Sequence, residues 1–241
     1  MLFPIGDTQV IGGHKPYVSY ALIVINIAIF IVQYMTPGNL VCDFSAIPFE
    51  IIQGNSYYTL ISSMFLHGGW LHLLGNMVFL WVFADNIEAK IGSFKFAVFY
   101  LTGGIIANFA HIYFSSYSTD LSQIQCLPCS MLMPCDDYTT HIATAAIPTL
   151  GASGAIAAVL GAYLVMFPKS RIKILVLLLF RSFYLPAIAF LGIWFLQQLF
   201  YGIGSLSSAF QGDDSVAWWT HIGGFVFGLA TGIYYRFQYQ E

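Results

Sequence analysis

The chain has 241 residues, of which 58% are hydrophobic and only 8% charged, with eight Lys and Arg against eleven Asp and Glu and a net charge of −3. Ordinary soluble domains carry roughly 25% charged residues, so this composition excludes a water-soluble globule and identifies an integral membrane protein in contact with the lipid bilayer. Aromatic residues at 17% and 22 glycines also fit membrane helices, which tolerate Gly and carry Trp and Tyr near their ends.

Six apolar stretches follow in chain order, most of them close to the roughly 20 residues needed to cross a hydrocarbon core. Tyr17–Met35 has no short apolar region with a small-residue cleavage site before it and reads as an uncleaved anchor. Leu66–Ala84 opens with His67-Gly-Gly-Trp-Leu-His72-Leu-Leu-Gly-Asn76, in which His72 and Asn76, four apart, share one helix face. Phe94–Phe114 leads into a long loop. Gly151–Phe167 carries Ser153 in its first helical turn, because Pro148 stops any helix before Gly151. The chain before it must therefore dip inward, where non-helical backbone needs protein or a watery cavity around it. The apolar run Ile174–Phe180 is too short to span and is expected at the interface. Tyr184–Tyr201 and Ala217–Tyr235 complete the series, the last containing His221 near its start. With no internal repeat and no long linker, residues 1–241 read as one domain, an all-α bundle of six transmembrane helices.

All eight basic residues fall on one side of this arrangement: Lys15, Lys90, Lys95, Lys169, Arg171, Lys173, Arg181 and Arg236. The other side holds Asp43, Glu50, Asp120, Asp136, Asp137, Asp213 and Asp214 without a basic residue. The positive-inside rule then puts both termini in the cytoplasm. Cys42, Cys126, Cys129 and Cys135 all fall outside it, where an even count points to disulfides. Four cysteines allow three connectivities and sequence does not choose among them. Cys126-Leu-Pro-Cys129 also resembles half of a metal site.

A serine and a histidine inside membrane spans are costly and are functional candidates by default. Lys169 lies sixteen residues after Ser153, about 24 Å along a helix, and Arg236 fifteen after His221, about 22 Å. Both side chains thus fall at one depth, a few Å below the outer boundary of a core about 30 Å thick. Gly151, Gly154, Ala158 and Gly161 face a second small-residue stripe, Gly224, Gly228 and Gly232, of the kind that lets membrane helices approach closely. Taken singly, Ser153 could be a packing serine and His221, His72 and Asn76 interhelical glue. A nucleophile, a base and hydrogen-bond donors at matching depths point instead to hydrolysis inside the membrane. His67 reads as structural, His14 as cytoplasmic, and His111 and His141 have no motif context.

Met64-Phe-Leu-His67-Gly-Gly-Trp-Leu-His72-Leu-Leu-Gly-Asn76, Gly151-Ala-Ser153-Gly154 and His221-Ile-Gly-Gly224-Phe-Val-Phe-Gly228, in this order on spans 2, 4 and 6, resemble the rhomboid intramembrane serine proteases. The resemblance covers residues 15–236. It implies a six-helix rhomboid-like bundle with Ser153 as nucleophile and His221 as base. His72, Asn76 and the Ser153 backbone N–H would form the oxyanion hole. It implies a serine endopeptidase cutting single-span or polytopic membrane proteins in or beside their spans, with no metal, cofactor or nucleic-acid partner. The expected location is a prokaryotic cell (inner) membrane, with the site opening to the extracytoplasmic side. The rival is a catalytically silent rhomboid-like protein that binds membrane helices; such proteins usually lack the Ser or the His. Two positions depart from the family pattern: Tyr58-Thr59 stands where many members carry Trp-Arg, and Ala157 where some carry an aromatic stacked on the histidine. Another group must then orient the His221 ring.

Overall fold

The computed structural model describes residues 2–8, 15–36, 40–117, 129, 144–176, 181–206 and 216–239. In chain order they form β1 (Leu2–Asp7), α1 (Tyr17–Met35), the short helices α2 (Leu40–Phe44), α3 (Pro48–Ile52) and α4 (Thr59–Ser62), then α5 (Trp70–Ile91), α6 (Ser93–Tyr117), α7 (Ser153–Met166), β2 (Arg171–Val176), β3 (Arg181–Pro186), α8 (Ala187–Gly204) and α9 (Trp218–Gln238). Local chemistry sets several boundaries. Pro48 opens α3, where its missing N–H costs nothing. Gly92, at φ +86°, ends α5, and its N–H donates to the Glu88 carbonyl at 2.8 Å. Pro186 closes β3 and directly precedes α8.

Helix α7 is the axis of the bundle: Gly154 to Tyr163 are all buried, and it packs on α5, α6, α8 and above all α9. A helix that is apolar on every side belongs in the middle. At the periphery, α1 and α8 turn large apolar side chains outward, among them Val24, Val32, Ile193 and Leu196. Such uncovered surface is what lipid would solvate. By length and apolarity α1, α6 and α8 can each cross a membrane, and Thr59–Phe65 with α5, bent by 95° between them, makes a fourth candidate. Helix α7 is apolar but has only 14 residues, about 21 Å.

The expectation of an all-α fold needs correction. The molecule is mostly helical, but β1, β2 and β3 form a three-stranded antiparallel sheet in that order. Phe3 pairs with Leu175 and Asp7 with Ile172, with a bulge between Pro4 and Gly6; Lys173 pairs with Tyr184 and Val176 with Arg181. Pro4 is tolerated because β1 is an edge strand. Part of the run expected to lie at the interface is thus β2, whose Ile172 and Ile174 are buried in the core.

Candidate active site

The chain reaches Ser153 through extended backbone that is tied down at each step. Thr149 and Ala46 exchange N–H to carbonyl hydrogen bonds of 2.8 and 2.9 Å, and the Gly151 N–H donates to the Ser63 carbonyl at 2.9 Å. Gly151 has φ +128°, where L side chains are strained, and a Cβ there would lie 2.8 Å from the His72 ring. Helix α7 then starts at Ser153, so the N–H groups of its first turn lack intrahelical acceptors.

His221 occupies the first turn of α9, and its Nε2 lies 2.8 Å from Ser153 Oγ. Backbone contact between α7 and α9 makes this distance attainable. A Cβ on Gly224 would stand 2.1 Å from the Gly154 carbonyl oxygen, one on Gly228 1.9 Å from that of Ala158, and one on Gly161 2.2 Å from that of Phe225. No side chain fits at any of these positions. The other ring nitrogen, Nδ1, lies 2.7 Å from Gln198 Oε1 on α8. Trp194, one turn before Gln198, holds its ring 5.9 Å from the imidazole, and Trp218 contributes an edge contact at 6.5 Å.

His72 and Asn76 stand on one face of α5 across from the serine. The Gly68 N–H donates to His72 Nδ1 at 3.3 Å, which places the proton of the neutral ring on Nε2, the nitrogen nearest Gly151. Asn76 is buried, and its Nδ2 has no hydrogen-bond partner among the described residues. Ser153, His221, His72 and Asn76 all line one cavity of about 910 Å³, walled on its apolar side by Phe79, Leu160 and Trp194. Among the described residues no three His, Cys, Asp or Glu side chains gather into a metal-holding group.

A model of the rhomboid domain matches residues 54–238. The chain belongs to the rhomboid family. It is 28% identical over 171 residues to the presenilin-associated rhomboid-like protein A, mitochondrial, of Danio rerio, covering 70% of this chain and 35% of that protein. It is 26% identical over 169 residues to the rhomboid protease GluP of Bacillus subtilis (strain 168), covering 68% of this chain and 27% of the relative. With the rhomboid protein 1, mitochondrial, of Saccharomyces cerevisiae (strain ATCC 204508 / S288c), identity is 25% over 224 residues, 92% of this chain and 54% of the other. The chain therefore spans between about a quarter and about half of the length of these curated relatives. It is an integral membrane protein, and relatives named from mitochondria as well as from a bacterium give a specifically prokaryotic membrane no support.

Within this rhomboid domain the remaining polar residues take other positions. Both ring nitrogens of His67 are buried without a partner among the described residues, and its backbone is held by Gln33, whose Nε2 donates to the His67 carbonyl at 2.7 Å. His111, deep in α6, lines the same cavity and lies 3.3 Å from Ser115 Oγ. Cys42 and Cys129 form a disulfide. Cys126, Cys135, His14 and His141 lie outside the described residues. Sequence reading missed Gln198 and Trp194 beside His221. The available signal was an amide inside an apolar run, Gln198 in α8, which is costly unless it has a partner.

Proposed function

We propose that the chain is an intramembrane serine endopeptidase acting on the membrane-spanning or membrane-adjacent segments of other proteins. The observation that carries this reading is the 2.8 Å contact between Ser153 Oγ and His221 Nε2, in one cavity with an Asn76 Nδ2 that has no partner among the described residues. His221 Nε2 takes the hydroxyl proton as Ser153 Oγ attacks the scissile carbonyl carbon. The carbonyl oxygen becomes an oxyanion, which accepts hydrogen bonds from Asn76 Nδ2, His72 Nε2 and the Ser153 backbone N–H. His221 returns the proton to the leaving amine, leaving an acyl-enzyme on Ser153. Water deprotonated by His221 then attacks the ester, and the proton goes back to Ser153 Oγ. The dyad works without a third carboxylate, and no metal takes part.

Six spans in one domain, both termini in the cytoplasm and an outward-facing site complete the reading, supported by the one-sided distribution of the eight basic residues. A substrate helix would enter from the lipid and unwind at the cavity. Ser153→Ala is expected to abolish cleavage of a susceptible single-span substrate, and labelling by a serine-reactive fluorophosphonate, while the protein still inserts. Undiminished cleavage in that variant overturns the assignment. A wild-type protein that neither cleaves nor labels returns the chain to the silent, helix-binding class.

A further inference from the structure

We propose that Gln198 is a positioning residue whose Oε1 accepts the Nδ1–H of His221 and so holds the imidazole in the tautomer that presents its Nε2 lone pair to Ser153. The inference rests on reading Ser153 and His221 as nucleophile and base. A neutral imidazole carries one proton, and only the form protonated on Nδ1 accepts the serine proton at Nε2. The 2.7 Å contact from Gln198 Oε1 to Nδ1 and the 2.8 Å contact from Nε2 to Ser153 Oγ form one continuous relay with that form alone. Were the amide reversed, its NH2 would donate to Nδ1 and force the proton onto Nε2, where it blocks the base.

The site is built for this contact. Gln198 is 4% exposed and lies on the buried stripe of α8 with Leu191 and Gly202. At Gly202 a Cβ would come within 2.5 Å of Ile222 Cδ1, so α8 and α9 meet closely one turn beyond the amide. Trp194, one turn the other way, limits the tilt of the same ring. Gln198 and Trp194 together supply what Ala157, fully buried and without an aromatic ring, does not.

Wild type, Ser153→Ala, Gln198→Leu and Gln198→Glu are compared in detergent micelles as full chains. The measurements are fluorophosphonate labelling rate, kcat and KM on a single-span substrate, and NMR shifts of the His221 ring nitrogens. The wild-type ring is expected to be protonated on Nδ1. Gln198→Leu mixes the tautomers and lowers labelling and kcat by about 10- to 100-fold, with KM within about twofold, because the substrate contacts are untouched. Gln198→Glu, which keeps an acceptor at Nδ1, recovers most of the kcat. A wild-type ring protonated on Nε2 overturns the proposal. So does a Gln198→Leu variant with wild-type tautomer and kcat, or a Gln198→Glu variant as slow as Gln198→Leu. Should Gln198→Leu fail to fold, the wild-type ring shifts and the Gln198→Glu kcat decide. A wild-type protein without labelling or cleavage defeats the protease reading instead, and its ring shifts, set against those of Gln198→Leu, still decide whether Gln198 sets the tautomer.

Discussion

The bundle has a polar cluster at each end, and the two are wired in opposite ways. At the end carrying the sheet, nearly every group has a partner. The Glu88 carboxylate, fully buried, accepts from the Val18 and Ser19 N–H groups at 3.0 and 2.8 Å and from the hydroxyls of Ser19 and Ser93 at 2.7 and 2.6 Å. It thereby caps the first turn of α1 with a negative charge at the positive end of the helix dipole. Asp7 accepts from Asn86 Nδ2 at 2.8 Å and from the Tyr163 hydroxyl, which also meets Ser170 Oγ at 2.6 Å. At the other end Asn76 Nδ2, Thr220 Oγ1 and both His67 ring nitrogens are buried with no partner among the described residues. Buried polar groups are normally paired. Of these only Asn76 lines the cavity, and its unspent donor is available to a ligand, whereas donors spent on Glu88 make a rigid anchor.

This contrast is open to direct tests, taken from the largest effect down. Asn76→Ala is expected to lower kcat by about 10²- to 10³-fold, the usual loss for one oxyanion donor. Its thermal unfolding midpoint should hold or rise, because the Nδ2 removed was a buried donor without a partner among the described residues. A variant with unchanged kcat but a lowered midpoint would make Asn76 structural and erase the difference between the two ends. Glu88→Ala is expected to do the reverse. Four donors lose their acceptor at 1–3 kcal/mol each before relaxation, so about 3 kcal/mol of stability should go, read by denaturant unfolding in micelles, while kcat per folded molecule stays constant.

The polar residues that line the cavity stand out in the sequence for a physical reason: Ser153, His221, His72 and Asn76 are each expensive in an apolar run. The start of α7 was equally legible, since Pro148 and Gly151 leave a helix nowhere else to begin. The Gly224 and Gly228 stripe named the helix that α7 touches. What stayed hidden depends on distant chain. Strand β1 is six residues containing Pro4 and Gly6, and it becomes a strand only by pairing with β2 more than 160 residues later. No local pattern announces a partner that remote. The contact of Gln198 with His221 depends on how α8 is rotated against α9, which residue spacing does not encode. The Glu88 cap was hidden in the same way: a carboxylate near a basic residue in a loop region reads as surface until its partners from α1 are in place.

The smallest predicted effect concerns the docking of β1. Burial pushes the Asp7 carboxyl above its ordinary value of 3.8, and hydrogen bonds from Tyr163 and Asn86 only partly oppose the shift. Asp85 lies close enough to feel the same charge. A carboxyl with a raised value in the docked state binds its proton more tightly there than in the free strand. Its contribution is therefore complete below 3.8 and is lost as the pH climbs through the raised value. Amide exchange of Thr8, whose N–H donates to the Arg171 carbonyl at 3.2 Å, corrected for intrinsic rates, should show protection falling across that window and level above it. Asp7→Asn, which cannot ionise but can still accept from Tyr163, should flatten the profile. A wild-type profile with protection rising over the same window would mean that the two hydrogen bonds outweigh burial. The sheet end would then gain from the charge, as the Glu88 cap does, and Asp7 would cease to be the weak point of an otherwise saturated cluster.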